Sequence, residues 1–224
     1  MMILNLRPFC QVLNDHCSNI CYKNVPSLEN TMIKQEFLRL ARMYPVAAAI
    51  KSREDMEIAL STDVILLFIL KSDGLELAPF IAQAHQRGKG VVVHIDLVSG
   101  VGKDRPGIQY LRQNGVDAII TSRSPLIAAG RAEGLTTIQR LLLVDDASLE
   151  SGVKTIARAQ PDIVEVLPGI IFPEVADKLH KVLPGPFIAG GFIRTSDDVT
   201  RMQEAGAILC SSSTYPLWKR TTKS

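Results

Sequence analysis

Residues 64 to 98 read VILLFILKSDGLELAPFIAQAHQRGKGVVVHIDLV, and they hold one copy of the unit that decides the fold. The run VILLFILK is short and apolar, which is typical of a buried β-strand. The segment LELAPFIAQAHQRG repeats its apolar residues every three or four positions and ends at Gly88, as an amphipathic helix does. The run GVVVHIDLV then begins the next unit. This stretch therefore predicts a strand, a helix and a second strand.

The same unit recurs along most of the chain. Apolar runs of the strand type occupy 45–51, 64–71, 90–98, 117–123, 136–145, 163–169, 186–192 and 207–213. Strands that alternate with helices over short connections form a parallel sheet, because each crossover returns the chain to the same end. Eight repeats predict an α/β protein with a TIM-type (β/α)8 barrel of parallel strands, whose last helix is abbreviated to YPLWKR. An open doubly wound sheet is the alternative.

The domain organisation follows from where this repeat begins. Residues 45–220 are expected to form a single TIM-type barrel domain. Residues 31–44, TMIKQEFLRLARMY, have helical spacing and are expected to form an N-terminal helix that packs on the barrel. Residues 1–30 show no sustained period and are expected to be a poorly ordered N-terminal extension.

Composition and charge exclude several classes of protein. The chain is 46% hydrophobic and 21% charged, as globular domains are, and its net charge of +2 does not by itself indicate a nucleic-acid partner. The longest apolar run, at 64–70, is far shorter than the roughly 20 residues that cross a bilayer. Asn5 and Arg7 interrupt the stretch where a signal peptide would be apolar, so we expect a cytoplasmic protein with no membrane partner. The N-terminal cysteines lack C-x-x-C spacing, and we expect neither a metal nor a cofactor.

Ionisable residues are predicted inside the barrel, where alternate strand residues point. In the third run Val91, Val93, Ile95 and Leu97 form an apolar set, which assigns His94 and Asp96 to the opposite, inward face. The same test points Lys51 and Glu165 inward, so the four groups are expected to meet at the barrel mouth. In the fourth and fifth runs, polar residues occur at both odd and even positions, so the alternation does not show which of them point inward. This leaves open the orientation of Ser122, Arg123, Gln139 and Arg140.

The last two strands carry the residue types of a phosphate site. Loops after strands seven and eight hold a phosphate in many TIM barrels. Here the seventh run ends in Gly190 and Gly191, which allow close approach of backbone N–H groups, and the eighth ends in the hydroxyl-rich segment at 211–214. Thr195 and Asp198 form a capping-box pattern that predicts the start of a helix instead of an anion site.

Several of these segments together resemble one known family. HIDL (94–97), TSRS (121–124), IQRLLLVD (138–145), EVLPGII (165–171), IAGGFIRT (188–195) and LW (217–218) are similar to the bacterial glycerol-3-phosphate-responsive antiterminators. The resemblance runs from about Val46 to Trp218. It implies a cytoplasmic regulator that senses glycerol 3-phosphate and acts on the leader of a glycerol-operon mRNA to prevent premature termination.

The family's pattern assigns roles to particular residues. The resemblance implies phosphate binding by Gly190, Gly191, Ser212 and Ser213. The inward groups Lys51, His94, Asp96 and Glu165 are expected to bind the polyol, with additional candidates at Ser122, Arg123, Gln139, Arg140 and Gly169. The chain departs from the family at 213–216, where Ser-Thr-Tyr-Pro replaces an Asn followed by a charged residue.

The residues leave a second function open. Lys51, His94, Asp96 and Glu165 are also the side chains used in acid–base or Schiff-base chemistry, so the alternative is an enzyme acting on a small phosphorylated polyol or sugar. The expectation of a regulator without catalytic residues, and with an mRNA partner, comes from the family. Only 5% of the residues are aromatic, and no RNP or KH motif is present. The sequence does not indicate the oligomeric state.

Overall fold

The computed structural model describes residues 32–219. The extension predicted at 1–30, and the outer ends of the predicted helix and barrel segments at 31 and 220, lie outside the described residues. Each of the eight apolar runs contains a strand: β1 Val46–Ile50, β2 Leu66–Ile69, β3 Gly90–His94, β4 Ala118–Thr121, β5 Thr136–Leu142, β6 Ile163–Leu167, β7 Phe187–Gly190 and β8 Ala207–Ser212.

The eight strands form a closed barrel in which each pairs in parallel with the next. The barrel closes where β1 pairs with β8, with Val46 opposite Cys210. The predicted TIM-type barrel is confirmed, and the open-sheet alternative is wrong. Two short segments, Ser72–Asp73 and Val98–Ser99, form a separate two-stranded parallel sheet.

Helices surround the barrel in the predicted alternation. They are α1 Lys34–Met43, α2 Arg53–Ser61, α3 Gly74–Gln86, α4 Arg105–Gln113, α5 Ser124–Ala132, α6 Asp146–Ala159, α7 Phe172–Val182 and α8 Ser196–Glu204. The predicted capping box is present at the start of α8, where Thr195 accepts from the Asp198 amide and Asp198 accepts from the Thr195 amide. Between β8 and the last described residue, Lys219, the helical structure is a four-residue 3-10 turn, Tyr215–Trp218, so the last helix is abbreviated in the described part of the chain.

Side chains alternate between the barrel interior and the layer beneath the helices. One buried apolar cluster contains residues from all eight strands: Ala47, Leu66, Phe68, Val92, Ala118, Ile120, Ile138, Ile163, Ile188 and Leu209. The intervening residues, such as Val91 and Val93, pack in a different cluster with residues of the helices. Removal of both apolar sets from water favours this alternation.

Helix α1 closes the N-terminal end of the barrel. Phe37 and Ala41 are fully buried and belong to the interior cluster. Lys34 Nζ lies 2.7 Å from Asp162 Oδ1, and the Met32 amide donates to Asp117 Oδ1 over 2.6 Å. Because this end is filled by apolar packing, the opposite end, where the strands terminate, is the one available for a site.

Candidate ligand-binding site

A cavity of about 380 Å³ opens at the C-terminal ends of the strands. This volume lies within the range of pockets that hold small ligands. Its lining includes Lys51, Arg140, Glu165, Gly191, Phe192, Arg194, Ser211, Ser212, Ser213 and Thr214. The ends of β1, β5, β6, β7 and β8 therefore meet around one space, as the predicted barrel requires.

A buried ion pair forms the floor of this cavity. Arg140 Nε lies 2.7 Å from Glu165 Oε2, and the Glu165 side chain is 0% exposed. Glu165 Oε1 also accepts a hydrogen bond from Ser211 Oγ over 3.2 Å. A buried carboxylate requires such partners, because an uncompensated charge in the interior is strongly unfavourable. Arg140 thus points inward, which the sequence left open. Ser211, which the sequence placed in the hydroxyl-rich segment at 211–214, contacts the buried carboxylate.

Gly190 is required by this floor. A Cβ atom at Gly190 would lie 2.7 Å from Glu165 Oε1 and 2.8 Å from Ser211 Oγ. Both distances are shorter than a real carbon–oxygen contact. Gly190 thus makes room for the carboxylate and the hydroxyl of the neighbouring strands, although it is not itself among the residues that line the cavity.

Lys51 supplies a positive charge at the cavity mouth. It follows β1, and its backbone amide donates to Asp55 Oδ2 over 2.8 Å, which fixes the start of its side chain. Its ammonium group lies 3.5 Å from Ser213 Oγ. Across residues 32–219, no carboxylate oxygen lies within 4.0 Å of this ammonium group. The lysine charge is therefore free to meet an anion.

The β7 loop lies against the β8 loop beside this lysine. Gly191 has a φ of +89°, and a Cβ there would lie 2.8 Å from Leu167 Cδ1, so the position favours glycine. Ser212 Oγ donates to the Ile193 carbonyl over 2.7 Å and accepts from the Thr214 amide. The Ser212 hydroxyl therefore joins the two loops, whereas the Ser213 hydroxyl points toward Lys51.

His94 lies at the inward end of β3 but does not line this cavity. It is 3% exposed, and its Nδ1 atom has no hydrogen-bond partner. Burial lowers the pKa of His94 to about 4, and the nearby positive charge of Arg140 acts in the same direction. The imidazole is therefore neutral near pH 7.

Asp96 is not a continuation of this strand. β3 ends at His94, and Asp96 lies in a 3-10 turn, Ile95–Leu97, so the alternation used to predict its direction does not apply. Its carboxylate accepts from Thr121 Oγ1 at 3.0 Å and from the Ser122 amide at 2.8 Å. Burial raises the pKa of Asp96, but these hydrogen bonds outweigh burial and lower it overall. Leu97 is 52% exposed, so its assignment to the buried set is wrong.

The additional candidates other than Arg140 lie in three places. Gln139 lies on the opposite face of β5 from Arg140, and its Nε2 atom donates to Ser124 Oγ over 3.1 Å. Ser122 and Arg123 contact Asp96 and do not line the cavity. A Cβ at Gly169 would lie 2.5 Å from the Gly190 amide nitrogen, so this glycine lets the β6 loop pack on the end of β7.

Among residues 32–219, no three side chains of the His, Cys, Asp and Glu types come together as a metal site. No helix in the described part of the chain is long and apolar enough to span a membrane. Cys210 is buried, and burial raises the pKa of its thiol to about 12. Cys10, Cys17 and Cys21 lie outside the described residues.

Fold and site together define a TIM barrel with a small-ligand cavity at the C-terminal face of its strands. The chain belongs to the glycerol-3-phosphate responsive antiterminator family, whose model matches residues 46–218. The resemblance drawn from HIDL, TSRS and IAGGFIRT is thereby confirmed.

Solved and curated relatives agree with this assignment. A glycerol uptake operon antiterminator regulatory protein from Listeria monocytogenes is 34% identical, with a TM-score of 0.73 over 77% of this chain and 94% of that chain. A glycerol uptake operon antiterminator-related protein from Thermotoga maritima is 28% identical, with a TM-score of 0.70 over 78% and 98%. The Escherichia coli uncharacterized protein YgcP is 29% identical over 83% of this chain and 97% of its own length.

Proposed function

We propose that this protein is a cytoplasmic sensor of glycerol 3-phosphate that binds the leader of a glycerol-operon mRNA and prevents premature termination. Membership of the glycerol-3-phosphate responsive antiterminator family supports the effector and the regulatory role. The observation that carries the proposal is the composition of the cavity. One free ammonium group, a glycine loop and serine hydroxyls surround the same space as a buried carboxylate–guanidinium pair.

The two ends of the ligand have different partners in this arrangement. Lys51, the Gly191 backbone and the Ser213 hydroxyl offer positive charge and hydrogen-bond donors, which suit a phosphate. Glu165 and Arg140 offer an acceptor and donors at the cavity floor, which suit the glycerol hydroxyls. His94 and Asp96, predicted as polyol ligands, lie outside this set.

The charge of Lys51 gives the direct test of ligand binding. Lys51→Met should weaken glycerol 3-phosphate binding about tenfold or more, because a charge-assisted contact to the phosphate is lost. Lys178→Met removes the same charge from an exposed position on α7 and serves as the control. Calorimetry would compare both variants with the wild type, with glycerol as a second ligand that lacks the phosphate. Equal affinities in the two variants would place the phosphate elsewhere.

Regulation requires that the ligand bind one conformation more tightly than another. A coupling of about 1 to 3 kcal/mol is typical and would change RNA affinity by roughly 5- to 150-fold. Titration of the leader transcript with and without glycerol 3-phosphate measures this factor. An affinity for the transcript that does not respond to the ligand would contradict the proposal.

An enzyme that acts on a small phosphorylated polyol or sugar is the second candidate. It is favoured by Lys51 and Glu165 in one cavity, since a lysine and a carboxylate are used in Schiff-base and acid–base chemistry. Product analysis after long incubation with glycerol 3-phosphate and related phosphates separates the two candidates. Turnover that Lys51→Ala or Glu165→Gln abolishes would favour the enzyme.

A further inference from the structure

Phe192 differs from the other phenylalanines that the structure describes. Five of the six described phenylalanines are at most 6% exposed, whereas Phe192 is 64% exposed. Its backbone φ is +61°, in the left-handed region that side chains with a Cβ rarely adopt. A large apolar ring is thus held in water on a strained backbone, and such strain is most often kept where function requires it.

The backbone on both sides holds the ring outward. Gly191 lies against Leu167, and Ile193 is 2% exposed with its carbonyl accepting from Ser212 Oγ over 2.7 Å. The Arg194 amide donates to Asp198 Oδ2 over 2.9 Å, within the cap of α8. These contacts fix the backbone on both sides of Phe192, and its side chain is exposed in the loop that they hold.

Arg194 adds a second planar group beside the ring. Its guanidinium carbon lies 5.9 Å from the centre of the Phe192 ring, and both side chains are exposed. Both residues line the ligand cavity. Proteins hold unpaired RNA bases by stacking them on aromatic rings and on arginine guanidinium planes. A base carries no charge, so it is not repelled by Asp197 and Asp198 at the start of α8.

We propose that Phe192 and Arg194 form a stacking platform for an unpaired base of the leader RNA. This inference rests on the proposed function and specifies where the RNA touches the protein. Gly191 precedes Phe192 in the chain and borders the proposed phosphate position. A ligand held there would fix the loop that presents the ring, so effector and RNA would act on the same five residues, GGFIR at 190–194.

The experiment measures RNA and ligand affinities on the same variants. Phe192→Leu keeps an apolar side chain but removes the ring, and Phe192→Trp keeps an aromatic surface. With saturating glycerol 3-phosphate, Phe192→Leu should weaken binding of a fluorescein-labelled leader transcript about tenfold, the loss expected when one stacked base is released. Phe192→Trp should bind within about twofold of the wild type. Arg194→Gln should also lose affinity, whereas Arg158→Gln, an equal charge change on the outer face of α6, should not.

The outcomes separate this inference from the function on which it rests. Ligand-dependent RNA binding that is unchanged in Phe192→Leu would overturn the platform and leave the proposed function standing. A wild type that binds no leader RNA would overturn both. If Phe192→Leu lost as much affinity for glycerol 3-phosphate as for RNA, Phe192 would contact the ligand instead of the RNA. That result would also overturn the platform. Photo-crosslinking tests the wild-type protein directly. A leader transcript that contains 4-thiouridine should cross-link to residues 190–194.

Discussion

Gly190 shows how a single missing side chain determines the geometry of the site. We expect Gly190→Ala to lower the free energy of unfolding by about 1 to 3 kcal/mol, because the new methyl group would overlap Glu165 Oε1 and Ser211 Oγ. Glycerol 3-phosphate affinity should fall as well, since the cavity floor must shift. Gly185→Ala is the matched control, because no heavy atom lies within 4 Å of a Cβ there. Urea denaturation and calorimetry on both variants test this; equal effects would show that Gly190 is not sterically required.

His94 predicts a particular dependence of stability on pH. Burial lowers its pKa from 6.5 to about 4, so between these values the unfolded chain binds a proton that the folded protein does not. The free energy of unfolding should therefore fall as the pH drops from about 6.5 to 4, by about 3 kcal/mol from this residue. His94→Asn cannot titrate and should lose that part of the slope, whatever its stability at pH 7. Identical slopes in urea titrations of both proteins would refute the assignment.

At the scale of elements, the strands could be predicted from the sequence. Each strand is buried in the barrel, and burial requires a short run of apolar residues. The end of β3 was not, because HIDL continues the apolar alternation while the chain turns after His94. The turn is stabilised by hydrogen bonds from Thr121 and Ser122 to Asp96, which join residues 25 and 26 positions apart. Among the identical side chains of Ser211, Ser212 and Ser213, only the strand register shows that Ser211 lies opposite Gly190 and faces Glu165.

Helix α1 is expected to contribute strongly to the stability of the barrel. Phe37 is 0% exposed within the interior cluster, so Phe37→Ala should lower the free energy of unfolding by about 3 to 5 kcal/mol. Ile33→Ala, at the 64% exposed residue that precedes the same helix, should change it by less than about 0.5 kcal/mol. Urea denaturation compares the two. Similar small losses would mean that the barrel does not depend on this helix for its packing.

At the scale of the whole molecule, the proposed effector and RNA sites lie at one end of the barrel, while α1 fills the other. If both ligands act on the loop at 190–194, their binding free energies are coupled, and the coupling must be reciprocal. The factor by which glycerol 3-phosphate tightens leader RNA binding must equal the factor by which leader RNA tightens glycerol 3-phosphate binding.

Calorimetric titration of the effector with and without saturating transcript gives the second factor, and RNA titration with and without effector gives the first. We expect equal factors of roughly 5- to 150-fold in the wild type. We expect factors near one in Phe192→Leu, because this variant lacks the ring that is proposed to stack on the RNA base. If the coupling were unchanged in Phe192→Leu, ligand binding would affect RNA binding through an element other than this loop.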